Sequence, residues 1–92
     1  MTLCAYCSVK DASEPDHLIS RNQTRGNQAA ARCRDLPRYI VDSCHECNMA
    51  KYTLHRVPVE MGHLIPELEA ITGNRYEVWD GDPATLYAEA TP

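Results

Sequence analysis

The strongest periodic signal in the chain is Met61, Leu64, Ile65, Leu68 and Ile71, spaced i, i+3, i+4, i+7 and i+10. It predicts an amphipathic helix over 61–71, kinked at Pro66 and stopped at Gly73. Elsewhere the apolar positions come in short groups. Asp16 to Ser20 (DHLIS), Tyr39 to Val41 and Tyr76 to Trp79 each predict a strand. Asn27 can cap a helix running to Leu36, with Ala29, Ala30, Cys33 and Leu36 on one face and Pro37 as its stop. Cys44 to about Leu54 favours another helix, closed by Pro58. Glu14-Pro15 breaks regular structure, and the polar run Arg21 to Gln28, with Gly26, reads as a loop. Asp82-Pro83 supplies an N-cap and an N1 proline for a last helix over 84–90. Short strands mixed with short helices make this a small α+β chain.

The composition changes that picture in one respect. The 92 residues suffice for one domain, and the apolar set is 43% of them, with no Phe. Setting Ala and Cys aside leaves 25 larger apolar side chains, five of them Tyr. So thin a core calls for a staple: disulfides, metal or a partner chain. No window approaches 18 apolar residues, which excludes a transmembrane helix and membrane association of that kind. The start, Met1-Thr2-Leu3-Cys4, has neither the basic nor the apolar region of a signal peptide, so a cytoplasmic chain with reduced cysteines is expected. Metal becomes the expected staple.

Two CxxC pairs, Cys4/Cys7 and Cys44/Cys47, supply four thiolates, each pair able to span two corners of a zinc tetrahedron from one turn. The 36 residues between the pairs exceed the about 15–20 of a compact zinc ribbon. A substantial insertion therefore separates the two halves of the site. Buried thiols or two redox pairs are the alternative. Cys33 reads as a packed free thiol.

Charge is unevenly spread. The net charge is −4, but from Arg21 to Arg56 seven basic residues face three acids, a local +4. After Pro58 one basic residue faces seven acids, a local −6. This suggests a basic working part, 1–57, and an acidic helical extension of the same domain, 58–92, placed away from any phosphate-binding face. Two well-solvated faces on a small protein would give the same composition.

Between and after the cysteine pairs stand Asp16-His17-Leu18-Ile19-Ser20 and Cys44-His45-Glu46-Cys47-Asn48-Met49-Ala50-Lys51. CxxC, then DH, then CxxCN with Lys three residues on, resembles the HNH endonuclease family. The nearer subtype is HNN, in which Asn replaces the last His, as in a phage recombination endonuclease. The resemblance covers Cys4 to about Tyr52. It implies a ββα-metal (His-Me finger) core carrying a structural zinc knuckle, with the helices after Pro58 appended. The chain departs from the family pattern in lacking a middle Asn before the second CxxC. It also keeps only Gly26 of the usual paired glycines and has Ser20 where a proline is common.

The resemblance implies metal-dependent hydrolysis of DNA phosphodiester bonds. His17 would be the general base, suited by an unperturbed pKa near neutrality. Asp16 and Asn48 would hold a divalent ion such as Mg²⁺ through oxygen. Cys4, Cys7, Cys44 and Cys47 would hold structural Zn²⁺. Lys51, Arg21, Arg25 and Arg38 are candidates for phosphate contacts, as are Arg32 and Arg34, and His55 could extend the metal site. His45 reads as solvent-facing or hydrogen-bonded beside the zinc, and His63 as structural. The competing reading is a non-catalytic zinc-stapled module that binds nucleic acid or protein. Monomer and homodimer stay equally open, since the 61–71 stripe can serve as core or as interface.

Overall fold

The computed structural model describes residues 2–51, 54–82 and 84. The chain opens with the Cys4-Cys7 knuckle, closed by a bridge between Leu3 and Asp11 and by a hydrogen bond from Cys4 N–H to Lys10 O (2.8 Å). Strand β1 (Glu14–His17) pairs antiparallel with β2 (Ile40–Ser43), with Asp16 opposite Val41 and His17 opposite Ile40. Helix α3 (His45–Lys51) follows β2 after a single residue, Cys44. Between the paired strands lie α1 (Arg21–Thr24), α2 (Gln28–Cys33) and a 3-10 turn, Pro37–Tyr39. This is the insertion that the long gap between the cysteine pairs requires.

Several expected elements shift. The first strand is Glu14–His17 rather than Asp16 to Ser20, so Glu14-Pro15 opens it instead of breaking regular structure. Arg21 to Thr24 is a helical turn, not a loop, because Ser20 N–H is satisfied by Gln23 Oε1 at 2.7 Å, half of a capping box. Asn27 does cap α2, accepting from Ala30 N–H at 3.0 Å, and its Nδ2 donates to Ile71 O at 2.8 Å. Tyr39 belongs to the 3-10 turn, so β2 starts one residue later.

The predicted 61–71 helix is two elements. A 3-10 segment, Val59–Leu64, is interrupted at Met61, and α4 (Ile65–Thr72) starts afresh. Pro66 sits in the first turn of α4, where its missing N–H costs nothing, so it starts a helix rather than kinking one. Gly73 ends α4 in the left-handed conformation, as expected. Strand β4 (Glu77–Trp79) pairs in parallel with β3 (Arg56–Pro58), a strand that the sequence did not reveal. Ala84 N–H donates to Asp82 Oδ1 (3.0 Å); the helix expected over 84–90 otherwise falls outside the described residues.

The acidic segment is not a detached appendage. Its Leu64, Leu68, Tyr76 and Trp79 share one buried core with Cys4, Tyr6, Leu18, Ile19, Val41, Val57 and both second-pair cysteines. Burial of Ile19, Val57, Leu64 and Leu68, each worth about 1.5–3 kcal/mol, draws both halves together. Among the described residues no helix is long and apolar enough to cross a membrane.

Candidate functional site: a cysteine cluster and an adjoining polar cleft

The knuckle after Leu3 and the start of α3 bring Cys4, Cys7, Cys44 and Cys47 together, with all four sulfurs within 4.8 Å of one another. Tetrahedral Zn–S bonds of about 2.3 Å need sulfurs about 3.8 Å apart, so the cluster fits a zinc ion with small adjustment. Cys4, Cys44 and Cys47 are buried and Cys7 is half-buried. Burial pushes the Cys44 and Cys47 thiols up. Burial also raises Cys7, but hydrogen bonds from the Lys10 and Val9 backbone and the neighbouring thiols outweigh it and bring that thiol down to about 7. A bound cation has to displace the remaining protons. The four cysteines are positioned to bind a metal ion such as zinc. Cys33 lies apart from them, partly buried against the core.

Beside this cluster lies a polar cleft of about 240 Å³. Its walls come from β1 (Asp16, His17), from α1 (Arg21), from Arg34 just after α2, and from α3 (Asn48, Lys51), with His55 at the rim. Seven of the residues singled out from the sequence therefore meet in one place: Asp16, His17, Asn48, Lys51, Arg21, Arg34 and His55. Arg25 and Arg38 are not among its lining residues. The Arg38 guanidinium instead pairs with Glu67 on α4, which also accepts from Tyr39 OH at 2.5 Å. No described acid after Pro58 lines the cleft.

Asp16, Lys51, His17 and Asn48 are each tied down. Asp16 is buried; its Oδ2 accepts from Tyr6 OH at 2.5 Å and its Oδ1 lies 2.9 Å from Lys51 Nζ. Lys51 also approaches the Tyr6 ring, 5.8 Å from its centroid, and that ring packs on Trp79. Burial, then the Asp16 carboxylate, holds the Tyr6 phenol far above its ordinary range, so it stays a donor. His17 turns the other way along the strand and its Nε2 lies 3.1 Å from Asp35 Oδ1, which Arg34 also reaches at 3.4 Å. Asn48 Nδ2 donates to Glu14 Oε1 at 2.6 Å, and His45 Nδ1 lies 3.3 Å from Glu14 Oε2. These two hydrogen bonds, Asn48's first, draw the Glu14 carboxyl below its usual range.

His55 rests against the Tyr76 ring at 5.3 Å, and burial, then the nearby Lys51 and Arg56 charges, lower its pKa and keep it neutral. In the cleft wall, Gln23 Nε2 donates to Tyr76 OH (2.9 Å), which donates to Leu18 O (2.7 Å). That chain fixes the backbone just beyond His17.

Sequence reasoning missed Glu14, Asp35 and Tyr6 as partners of the site. For Glu14 a signal existed: it stands two residues before Asp16 and so on the same side of a strand. Asp35 carried none, since its approach to His17 depends on how α2 folds back. Compared with known protein families, with curated proteins and with solved structures, the chain matches none.

Proposed function

We propose that this chain is a metal-dependent HNH-type endonuclease that hydrolyses DNA phosphodiester bonds, built on a ββα-metal core with a structural zinc. One observation carries the reading. Asp16 and His17 at the end of β1, and Asn48 on the helix that directly follows its partner strand β2, line a single cleft.

The chemistry of the donors supports it. An ionised Asp35 can only accept, so the hydrogen of a neutral His17 sits on Nε2 and the lone pair sits on Nδ1. Nδ1 would take a proton from a water, and Asp35 would steady the imidazolium that results. Asp16 and Asn48 offer one carboxylate and one amide oxygen, a set that fits a hard divalent cation, provided Lys51 turns away from Oδ1. Such a cation supplies positive charge against the phosphate and the departing oxygen. Arg34, whose Nη1 lies 3.4 Å from Asp35 Oδ1, brings a guanidinium to the same wall. Arg21, Arg34 and Lys51 outnumber Asp16 among the charged lining groups, which favours a polyanion.

The second reading, a non-catalytic zinc-stapled module binding nucleic acid or protein, draws support from the Lys51–Asp16 pair, which already neutralises the carboxylate. Cleavage of supercoiled plasmid by the zinc-loaded chain separates the two. The nuclease reading expects nicked or linear product when Mg²⁺ or Mn²⁺ is added and none without it. Binding without cleavage under every metal condition would favour the module.

A further inference from the structure

We propose that Glu14 is a positioning residue: its carboxylate holds the Asn48 amide by the nitrogen and so turns Oδ1 toward the cleft as a cation ligand. The inference rests on the cleft being the cation site of the nuclease reading above. Nothing in the sequence resemblance assigns Glu14 a part.

The geometry is specific. Glu14 opens β1, and Asn48 lies on α3, so the 2.6 Å bond from Asn48 Nδ2 to Glu14 Oε1 crosses from strand to helix. The other carboxylate oxygen faces His45 Nδ1, so α3 holds Glu14 at two points. An amide has two chemically opposite ends, and its heavy atoms alone do not say which faces where. An ionised carboxylate settles that, because it accepts and never donates; only the nitrogen end of Asn48 can face it. The oxygen end is then left for the cleft that Asn48 lines. Glu14 itself does not line that cleft. It borders a separate groove together with Asp11 and Asp42, which makes it a support and not a ligand. With Glu14 removed, the amide is free to present its NH₂ group to the cation, which repels it.

Mn²⁺ affinity of the zinc-loaded full chain, measured without DNA by paramagnetic resonance of free ion, tests this. Asn48→Ala should bind Mn²⁺ more weakly. Glu14→Ala should weaken it by about 10–100-fold, the usual range for a group supporting a metal ligand, with zinc content and thermal midpoint little changed. In an Asn48→Asp background there is no nitrogen to hold, and Glu14 only repels the new carboxylate. There Glu14→Ala should leave affinity unchanged or raise it. Equal losses in both backgrounds would mark a bulk effect of the Glu14 charge and overturn the inference. So would a Glu14→Ala chain that binds Mn²⁺ like wild type while Asn48→Ala does not. If Asn48→Ala binds like wild type, the cation-site reading itself fails, and the inference with it. Should Glu14→Ala lose zinc, Glu14→Gln gives the same comparison at constant volume. Its amide can pair with Asn48 either way round, so a several-fold loss is expected in the native background and none with Asn48→Asp.

Discussion

Lys51 Nζ lies 2.9 Å from Asp16 Oδ1, and the two side chains are only 7% and 5% exposed. A lysine at the last position of a short helix would ordinarily be solvated. Here burial makes each charge dependent on the other. Lys51→Met should therefore destabilise the chain by about 3–5 kcal/mol, by leaving Asp16 charged and unpaired. Urea unfolding measures it. Added Mn²⁺ should recover part of that loss, because the cation replaces the missing ammonium on Asp16. The same variant should bind Mn²⁺ more tightly than wild type, and weaker binding would show that Lys51 does not compete for the carboxylate.

Zinc is expected to hold the fold through Cys4, Cys7, Cys44 and Cys47. Elemental analysis should find one zinc per chain, and Cys44→Ala should lose both zinc and cooperative unfolding, since binding free energy here is folding free energy. Cys33→Ser, outside the cluster, should keep the metal. A zinc-free chain with native-like unfolding would contradict this role.

Gly81 is where the segment after β4 meets the first knuckle. Its φ is +82°, and a Cβ there would lie 2.5 Å from Cys7 N and 2.6 Å from Cys7 Cα. Gly81→Ala should lose the backbone cost of about 1–3 kcal/mol and a clash besides, and should weaken zinc retention because Cys7 must move. Gly73→Ala, with φ +74° and nothing within 4 Å, should show the backbone cost alone. Thermal unfolding and zinc competition with a chelator separate the two effects.

Glu67 ties α4 to the turn before β2. Its carboxyl is held down to about 2, first by the hydrogen bond from Arg38 and then by that from Tyr39. A carboxylate lowered in the folded state stabilises it above the unfolded pKa, here near 4.5, and loses that contribution as pH falls toward 2. Wild type should accordingly exceed Glu67→Gln in thermal midpoint at neutral pH, with the gap closing between about pH 4.5 and 2. A gap that does not narrow would remove the ion pair from the account of stability.

What the sequence carried, and what it hid, follows from the range of the interactions. The Asn27 cap, the Gly73 stop and the strand ending at Trp79 depend on neighbouring residues and were legible. The cysteine quartet was legible because each pair is local and the chemistry of four thiols is distinctive. Arg21–Thr24 was misread although Ser20 and Gln23 spell out a cap, because four polar residues have no apolar face to announce a helix. Strand β3 was hidden since three residues ending in Pro58 pair in parallel with Glu77–Trp79, far along the chain. Arg38 looked like a free cation until α4 brought Glu67 to it. In the cleft, Asp16, His17, Asn48 and Lys51 could be named in advance, but the partners Asp35 and Tyr6 are set by tertiary packing.

The most direct test of the central claim is the rate of plasmid cleavage by His17→Ala against wild type. Both are measured zinc-loaded, in saturating Mn²⁺, with Mn²⁺ affinity measured on the same samples. The account predicts a loss of about 10²–10⁴-fold in rate, the usual cost of removing a general base, with Mn²⁺ affinity nearly unchanged. Cleavage by His17→Ala at the wild-type rate would contradict it.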